Sequence, residues 1–532
     1  MNTSFSNTFL ALLIGLTLVN CANRGTPQGG PKDETPPVII KSEPENFSTN
    51  FKGNEIKIYF DEFIKIKDLQ KQLIISPPMK TQPLVTPMGS ASKHITIKIE
   101  DTLKPNTTYA FNFGNSIVDN NEGNPYPYYR YVFSTGSYID SLNVQGKILD
   151  ALYNKAESFV NVGLYEVDST FTDSIVYKEV PTYITNTLDS LTTFSIENIK
   201  AGKYMLMALK DGNGDNKFQQ KTDQIGFHNH FIEVPNDSLY TLRLFKEDLD
   251  FKASRPTLDV GQKITFGYEG DYSQMKIKLK SEVPADFDHR ITKDEKTDTL
   301  YYWYKPKLEV DSLIFNVSHP TFNKDYTVKI RDKERDSLTL KPIASDGIDN
   351  PFKIRGSVPI VKFDKSKIAI IDKDSTAIDF TTKFDTINNI YTLNFEKKEE
   401  NSYKIRILPK AFESFFGKTN DTLNFTTKTK AASAYGYARF TLVNATYPLI
   451  VQLTSQKGEV LEERYATEEG TVDFYNLTPN TYYIRVIHDT NGNGKYDTGS
   501  YLEKRQPEWV THFDAIEIRA DWGYPEILQF TE

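Results

Sequence analysis

Apolar residues recur at every second position along most of the chain: Ile56, Ile58 and Phe60; Ile95, Ile97 and Ile99; Phe111 and Phe113; Val160, Val162 and Leu164. A period of two, built from β-branched and aromatic residues, predicts half-buried strands. Turn clusters such as Asn120-Asn121-Glu122-Gly123 and Asp346-Gly347 separate these runs, and no helical period lasts beyond a turn or two. The pattern predicts an all-β chain of tandem β-sandwiches. At 532 residues the chain is too long for one core.

Two internal repeats divide it. Tyr109-Ala-Phe-Asn-Phe and Tyr403-Lys-Ile-Arg-Ile each lead, fourteen residues after the tyrosine, to Gly123 and Gly417, and then to Phe133-Ser-Thr-Gly and Phe425-Thr-Thr-Lys. The second repeat aligns Ile199 to Phe218 with Leu477 to Tyr496 without a gap. It ends in Asp211-Gly-Asn-Gly-Asp-Asn-Lys-Phe218 and Asp489-Thr-Asn-Gly-Asn-Gly-Lys-Tyr496. Residues 38–137 resemble the SbsA-type bacterial Ig-like domain, and 345–429 resemble a diverged copy. Val144-Gln-Gly-Lys-Ile-Leu-Asp and the later Gly202-Lys-Tyr-Met-Leu resemble the transthyretin-like, or carboxypeptidase-regulatory-like, sandwich. That resemblance implies a fold and brings no peptidase residues with it. The strand-rich stretch 255–344, with Val260 to Phe266 and Leu313 to Val317, reads as a further Ig-like module. The expected order is a signal peptide (1–20), a tether (21–37), an Ig-like domain (38–137), a transthyretin-like sandwich (138–254), two Ig-like modules (255–344 and 345–429) and a second transthyretin-like sandwich (430–532). Such a chain forms either a rod or a folded-back arc.

The N-terminus carries a location signal. Phe9 to Val19 is an apolar run too short to span a bilayer but suited to the h-region of a secretory signal. Leu18-Val19-Asn20-Cys21 follows and resembles a bacterial lipobox, which implies acylation of Cys21, the only cysteine. Several acyl chains anchor stably where one does not. A Gly- and Pro-rich tether continues to Pro37. This start resembles Bacteroidota outer-membrane lipoproteins with an N-terminal SbsA-type Ig-like domain. Lys32-Asp33-Glu34 has the composition of that phylum's surface-export signal, although it lies eleven residues beyond Cys21. Surface display is the expectation, with a periplasm-facing position as the alternative.

Composition narrows the chemistry. The net charge of −8 leaves no basic excess for phosphates, which excludes nucleic acid as the expected partner. One cysteine excludes internal disulfides and thiolate-rich zinc sites. Side-chain oxygens at Asp211, Asn213 and Asp215, and again at Asp489, Asn491, Asn493 and Asp497, are spaced as a calcium site requires, so calcium is the one candidate cofactor. The competing reading is a glycine-rich turn in which Asp caps local N–H groups; Thr222 and Ser500 stand where an EF-hand places its bidentate glutamate. Tyr126 and Tyr128, and Tyr302 and Trp303, lie in aromatic clusters that either contact a partner or glycan or fill sandwich cores. Twelve Asp-Ser/Thr-apolar tripeptides, including those at Thr102, Ser174, Ser312 and Thr422, resemble the O-glycosylation acceptor of Bacteroidota and equally fit strand-initiating turns. His228 and His230 are spaced to share one face of a strand but have no fixed third ligand. No zincin, nucleophile-elbow or P-loop motif occurs, so no enzyme is expected. The expected role is a lipid-anchored interaction subunit, partnered by an integral outer-membrane barrel protein or other lipoproteins. The alternative is a glycan-binding or adhesive surface protein.

Overall fold

Ile56, Ile58 and Phe60 all face inward from one strand, β2 (Glu55–Ile66), at no more than 2% exposure. That alternation repeats throughout the computed structural model, which describes residues 33–188, 192–343 and 346–530. The signal peptide, Cys21 and Lys32 lie outside the described residues.

The first sandwich contains β1 (Ile39–Glu43), β2, β3 (Ile74–Ser76), β4 (Leu84–Thr86), β5 (Ser92–Lys98), β6 (Thr108–Asn112), β7 (Ile117–Asp119) and β8 (Arg130–Ser134). One sheet runs β1-β2-β5-β4 with β7 on the end of β2, and the other runs β3-β6-β8. Phe111, Phe113 and Phe133 fill the space between them.

The second sandwich contains β9 (Leu142–Asp150), β10 (Asn161–Glu166), β11 (Tyr183–Asn186), β12 (Thr193–Ile199), β13 (Gly202–Lys210), β14 (Gln224–Phe227), β15 (Ile232–Val234) and β16 (Leu239–Leu244). Its sheets are β12-β9-β16 and β11-β10-β13-β14, with β15 also on β13. Its first and last strands, β9 and β16, pair in parallel, so the rest of the domain is their crossover.

The third sandwich comprises β17 (Lys252–Ala253), β18 (Thr257–Val260), β19 (Lys263–Glu269), β20 (Lys276–Leu279), β21 (Asp288–Lys293), β22 (Thr299–Lys305), β23 (Ser312–His319) and β24 (Phe322–Lys329). It pairs as β17-β19-β22-β21, with β18 also on β19, over β20-β23-β24. The fourth comprises β25 (Leu340–Ile343), β26 (Phe352–Gly356), β27 (Ile360–Phe363), β28 (Ile368–Ile371), β29 (Thr381–Asp385), β30 (Ile390–Asn394), β31 (Ser402–Ile407), β32 (Phe412–Ser414) and β33 (Leu423–Lys428). Its β25-β26-β30-β29 and β28-β31-β33 sheets repeat the order of the first sandwich, and β32 pairs β27 where β7 pairs the end of β2. Gly123 and Gly417 follow β7 and β32, and both have positive φ, +82° and +76°, in the left-handed region that favours glycine.

The fifth sandwich, with β34 (Gly436–Val443), β35 (Leu449–Thr454), β36 (Val460–Ala466), β37 (Thr471–Leu477), β38 (Asn480–His488), β39 (Val510–Ile518) and β40 (Gly523–Gln529), copies the second. Its sheets are β37-β34-β40 and β36-β35-β38-β39, and β34 and β40 again pair in parallel.

Strand pairing shifts two of the boundaries expected from sequence. β17 pairs β19, so the third sandwich begins before residue 255. β25 pairs β26, so residues 340–343 belong to the fourth sandwich and not the third. A domain ends where pairing changes partner, and here the change falls in the strandless stretch 330–338.

Candidate functional site

Strand β13 reads Tyr204-Met-Leu-Met-Ala-Leu209, apolar at every position. Tyr204, Leu206 and Ala208 enter the second sandwich's own core, while Met205, Met207 and Leu209 enter a second cluster on the opposite face. A strand buried on both faces needs a cover, and part of that cover comes from the far end of the chain. Tyr501 is fully buried in this second cluster beside Tyr165, Phe218, Phe227 and Phe245. Its ring packs edge-on to Phe227 at 5.4 Å, and its hydroxyl donates to Sδ of Met205 at 3.0 Å.

Residues 498–509 of the fifth sandwich extend the seam. Thr498 Oγ1 donates to Lys246 O at 2.7 Å, the Tyr501 N–H donates to Glu247 Oε1 at 2.5 Å, and Gln506 Nε2 donates to Phe227 O at 2.9 Å. Lys504 pairs with Asp173 at 2.6 Å, and the Arg243 guanidinium lies 4.8 Å from the Trp509 ring centre. Arg485, only 5% exposed on β38, reaches Gln452 Oε1 at 2.8 Å and Leu152 O at 3.3 Å. A cleft of about 900 Å³ follows the seam, and Tyr153, Arg485 and His512 are among its lining residues. Burial, and then the neighbouring Arg485, depress the His512 imidazole to about 4. Burial raises the Glu247 carboxyl above its usual range.

Both Asp-rich loops lead into this seam. In the first, Asp211 accepts from the N–H groups of Asn213, Gly214 and Asn216 at 2.7–3.0 Å, and Asp215 accepts from Gln219 Nε2 at 2.8 Å. In the second, Asp489 is 1% exposed and accepts from Gly492, Asn493 and Gly494 N–H and from the Tyr465 hydroxyl. The side-chain amide nitrogens of Asn491 and Asn493 both turn to Asp497. Gly214, Gly492 and Gly494 have positive φ. The carboxylates are engaged as turn caps, and among the described residues no three His, Cys, Asp or Glu side chains converge as a metal site would need. Asp223 and Glu508, which the sequence reading passed over, close the two loops in equivalent ways. Asp223 accepts from Gly212 and Gln219 N–H, and Glu508 from Thr490 and Asp497 N–H.

The aromatic expectation needs correction. Tyr302 and Trp303 are 1% and 2% exposed and cannot reach a glycan or partner. Tyr302 faces the third core. Trp303 faces the other way and is covered by Val358 and Phe415 of the fourth sandwich, while its Nε1–H donates to Thr292 Oγ1 at 2.9 Å. Tyr126 packs on the first core, edge-on to Tyr129 at 5.8 Å. Tyr128 is 39% exposed and lines a cleft between the first and second sandwiches.

Thr102, Ser312 and Thr422 are exposed; Ser312 opens β23 and Thr422 directly precedes β33. Ser174 is half-buried at the start of the short helix Ile175–Lys178, with its Oγ 3.2 Å from Thr172 Oγ1. His228 and His230 do not share a strand face. They follow β14 in a bend, where His228 Nδ1 bonds His230 O at 2.8 Å.

Further contacts join neighbours, among them Ser76 with Ile184, Lys221 with Glu269, Arg355 with Glu295, and Asp349 with Asn476. The second to fifth sandwiches therefore close into an arc, with the first attached to the second.

Among solved structures, domains 1–6 of the surface-layer protein SbsC align over 90% of this chain and 67% of theirs, at 12% identity and a TM-score of 0.16. The major pilin subunit of Bacillus cereus aligns over 73% of this chain and 99% of its own, at 11% and 0.13. A titin I-band fragment aligns over 52% and 98%, at 14% and 0.12. At such scores the alignments carry no argument about this chain. No curated protein sequence matches it. The family match is local: residues 33–135, the first sandwich and the lead into it, match the family model of the bacterial Ig-like domain.

Proposed function

We propose that this chain is a non-enzymatic, lipid-anchored outer-membrane scaffold, displayed on the cell surface as the interaction subunit of a barrel-protein assembly or transport complex. The observation that carries this reading is the return of the fifth sandwich onto the second through Tyr501, which makes a fixed arc from modules that could have trailed as a string. A fixed arc presents several edge strands in set positions, as a docking platform requires. The lipobox resemblance at Cys21 supports the anchor, and the bacterial Ig-like match supports an extracytoplasmic module. Burial of Tyr302 and Trp303 removes the residues that most favoured glycan binding.

The test is a mild-detergent pull-down of the tagged chain from native membranes with mass spectrometry, alongside protease shaving of intact cells. The proposal expects a stoichiometric integral barrel protein in the eluate and cleavage from outside. A chain that is recovered alone, or that is protected from shaving, contradicts it.

A further inference from the structure

The third sandwich has an open side. Its edge strand β18 and the edge strand β24 of the facing sheet lie side by side, and among the described residues neither has a strand partner on its outer edge. The cleft between them, about 430 Å³, is lined by Arg255, Lys329, Arg331 and Lys333 over a floor that includes Pro256 and Leu258, and no acidic side chain lines it. Lys333 Nζ donates to the carbonyls of Leu258 and Asp259 at 3.2 and 2.6 Å, pinning the 330–338 stretch beside the cleft.

Arg255, Lys329 and Arg331 are exposed. Among the described residues none of the three has a side-chain hydrogen bond, ion pair or ring contact. The cleft continues into a groove of about 920 Å³ between the third and fourth sandwiches that shares Arg331 and Lys333. Two of its three acids, Asp332 and Glu413, are already paired, with Lys307 at 2.9 Å and Lys362 at 3.0 Å; the third is Glu334. Cleft and groove together hold eight Lys and Arg against three acids, in a chain of net charge −8. Uncompensated like charges repel one another and attract a complementary anion.

The geometry points to this cleft as the docking site for an extended acidic peptide segment of a partner protein, which adds as a strand along β24 and sets alternate carboxylates against Arg255, Lys329 and Arg331. It rests on the reading of the chain as an interaction scaffold. Two features select a peptide. Free edge strands offer main-chain hydrogen bonds that a sugar or polyphosphate cannot use in register. The aromatic rings here offer no open face for stacking a sugar, because Tyr304 and Phe415 are 1% exposed and Arg335 sits 5.0 Å over Phe416. A lysine on an edge strand can by itself blunt unwanted pairing, which accounts for Lys329. It does not account for Arg255 and Arg331, which stand outside the strands.

The test is fluorescence anisotropy with the full chain in mild detergent and a labelled peptide of about ten residues, long enough to lie along the edge, alternating Glu and Val. The expected result is saturable binding, weakened about tenfold or more when Lys replaces Glu or when alternate backbone amides are N-methylated. The Arg255→Glu/Arg331→Glu double variant is expected to lose a similar factor with its melting temperature unchanged. Absent saturation, equal binding of the N-methylated peptide, or displacement by polyphosphate or an anionic polysaccharide at lower concentration than by unlabelled peptide would each overturn the inference. The assay involves no membrane partner. A recovered barrel complex with a silent cleft therefore overturns this inference alone, and a binding cleft on a chain that recovers nothing overturns the proposed function alone.

Discussion

The hydroxyl of Tyr501 in the fifth sandwich donates to the thioether sulfur of Met205 in the second, across 296 residues of chain, at 3.0 Å. The bond itself is weak, because sulfur is a poor acceptor. The ring around it is fully buried, and that burial stabilises the seam by roughly 2–3 kcal/mol.

Tyr501→Ala should therefore cost about 3–4 kcal/mol at the seam. Tyr501→Phe, which keeps the ring, should cost under about 1 kcal/mol. Hydrogen exchange at β13 and β14 reads the difference. Exchange unchanged in the alanine variant would show that Tyr501 does not hold the seam.

Acid should loosen the same region. The folded-state pKa of His512, about 4, lies below its ordinary value of 6.5. The unfolded chain then binds the proton first, so stability is intact above pH 6.5 and is lost as pH falls through 4. The loss should be roughly 2 kcal/mol after allowance for partial exposure. Melting curves between pH 7 and 4 measure it, and His512→Gln should flatten the profile. An equally steep profile in that variant would assign the acid sensitivity to other groups.

The Asp-rich loops should behave as turns. Asp489→Ala removes the acceptor for three backbone N–H groups and one hydroxyl and should cost about 2 kcal/mol. Millimolar calcium should move the melting temperature by less than about 1 °C, because an ion without a preferred folded-state site gives no linkage. A rise of several degrees, abolished by Asp489→Ala, would show a metal site instead.

Exposure separates the four candidate acceptors. Thr102, Ser312 and Thr422 are open to a modifying enzyme, whereas Ser174 is half-buried with its hydroxyl engaged. Peptide mass spectrometry of the protein from its native cells should find sugar on the first three and not on Ser174. The reverse order would mean that folded-state access does not govern modification.

The sandwiches were legible because a strand with one face in a core and one in water writes a period of two, as in Ile95, Ile97 and Ile99. The repeats were legible because Asp211 and Asp489 cap the same turn after equivalent strands, β13 and β38. Which of its two readings held for Trp303 was not legible, because the ring that covers it, Phe415, belongs to another sandwich, and alternation within β22 cannot report a neighbour. The seam left one trace: Tyr204 to Leu209 is apolar without alternation, the mark of a strand covered on both faces. What covered it could not be read, since Tyr501 sits in a loop with no period of its own.

The closed arc is tested most directly by the distance between spin labels placed at Lys155 and Lys457, which line the same cleft from the second and fifth sandwiches. Pulsed electron–electron resonance on the full chain should give one narrow distribution centred below about 35 Å, the width of a single domain. A broad distribution at roughly 70 Å or beyond, as two intervening sandwiches in a rod would impose, would contradict the account.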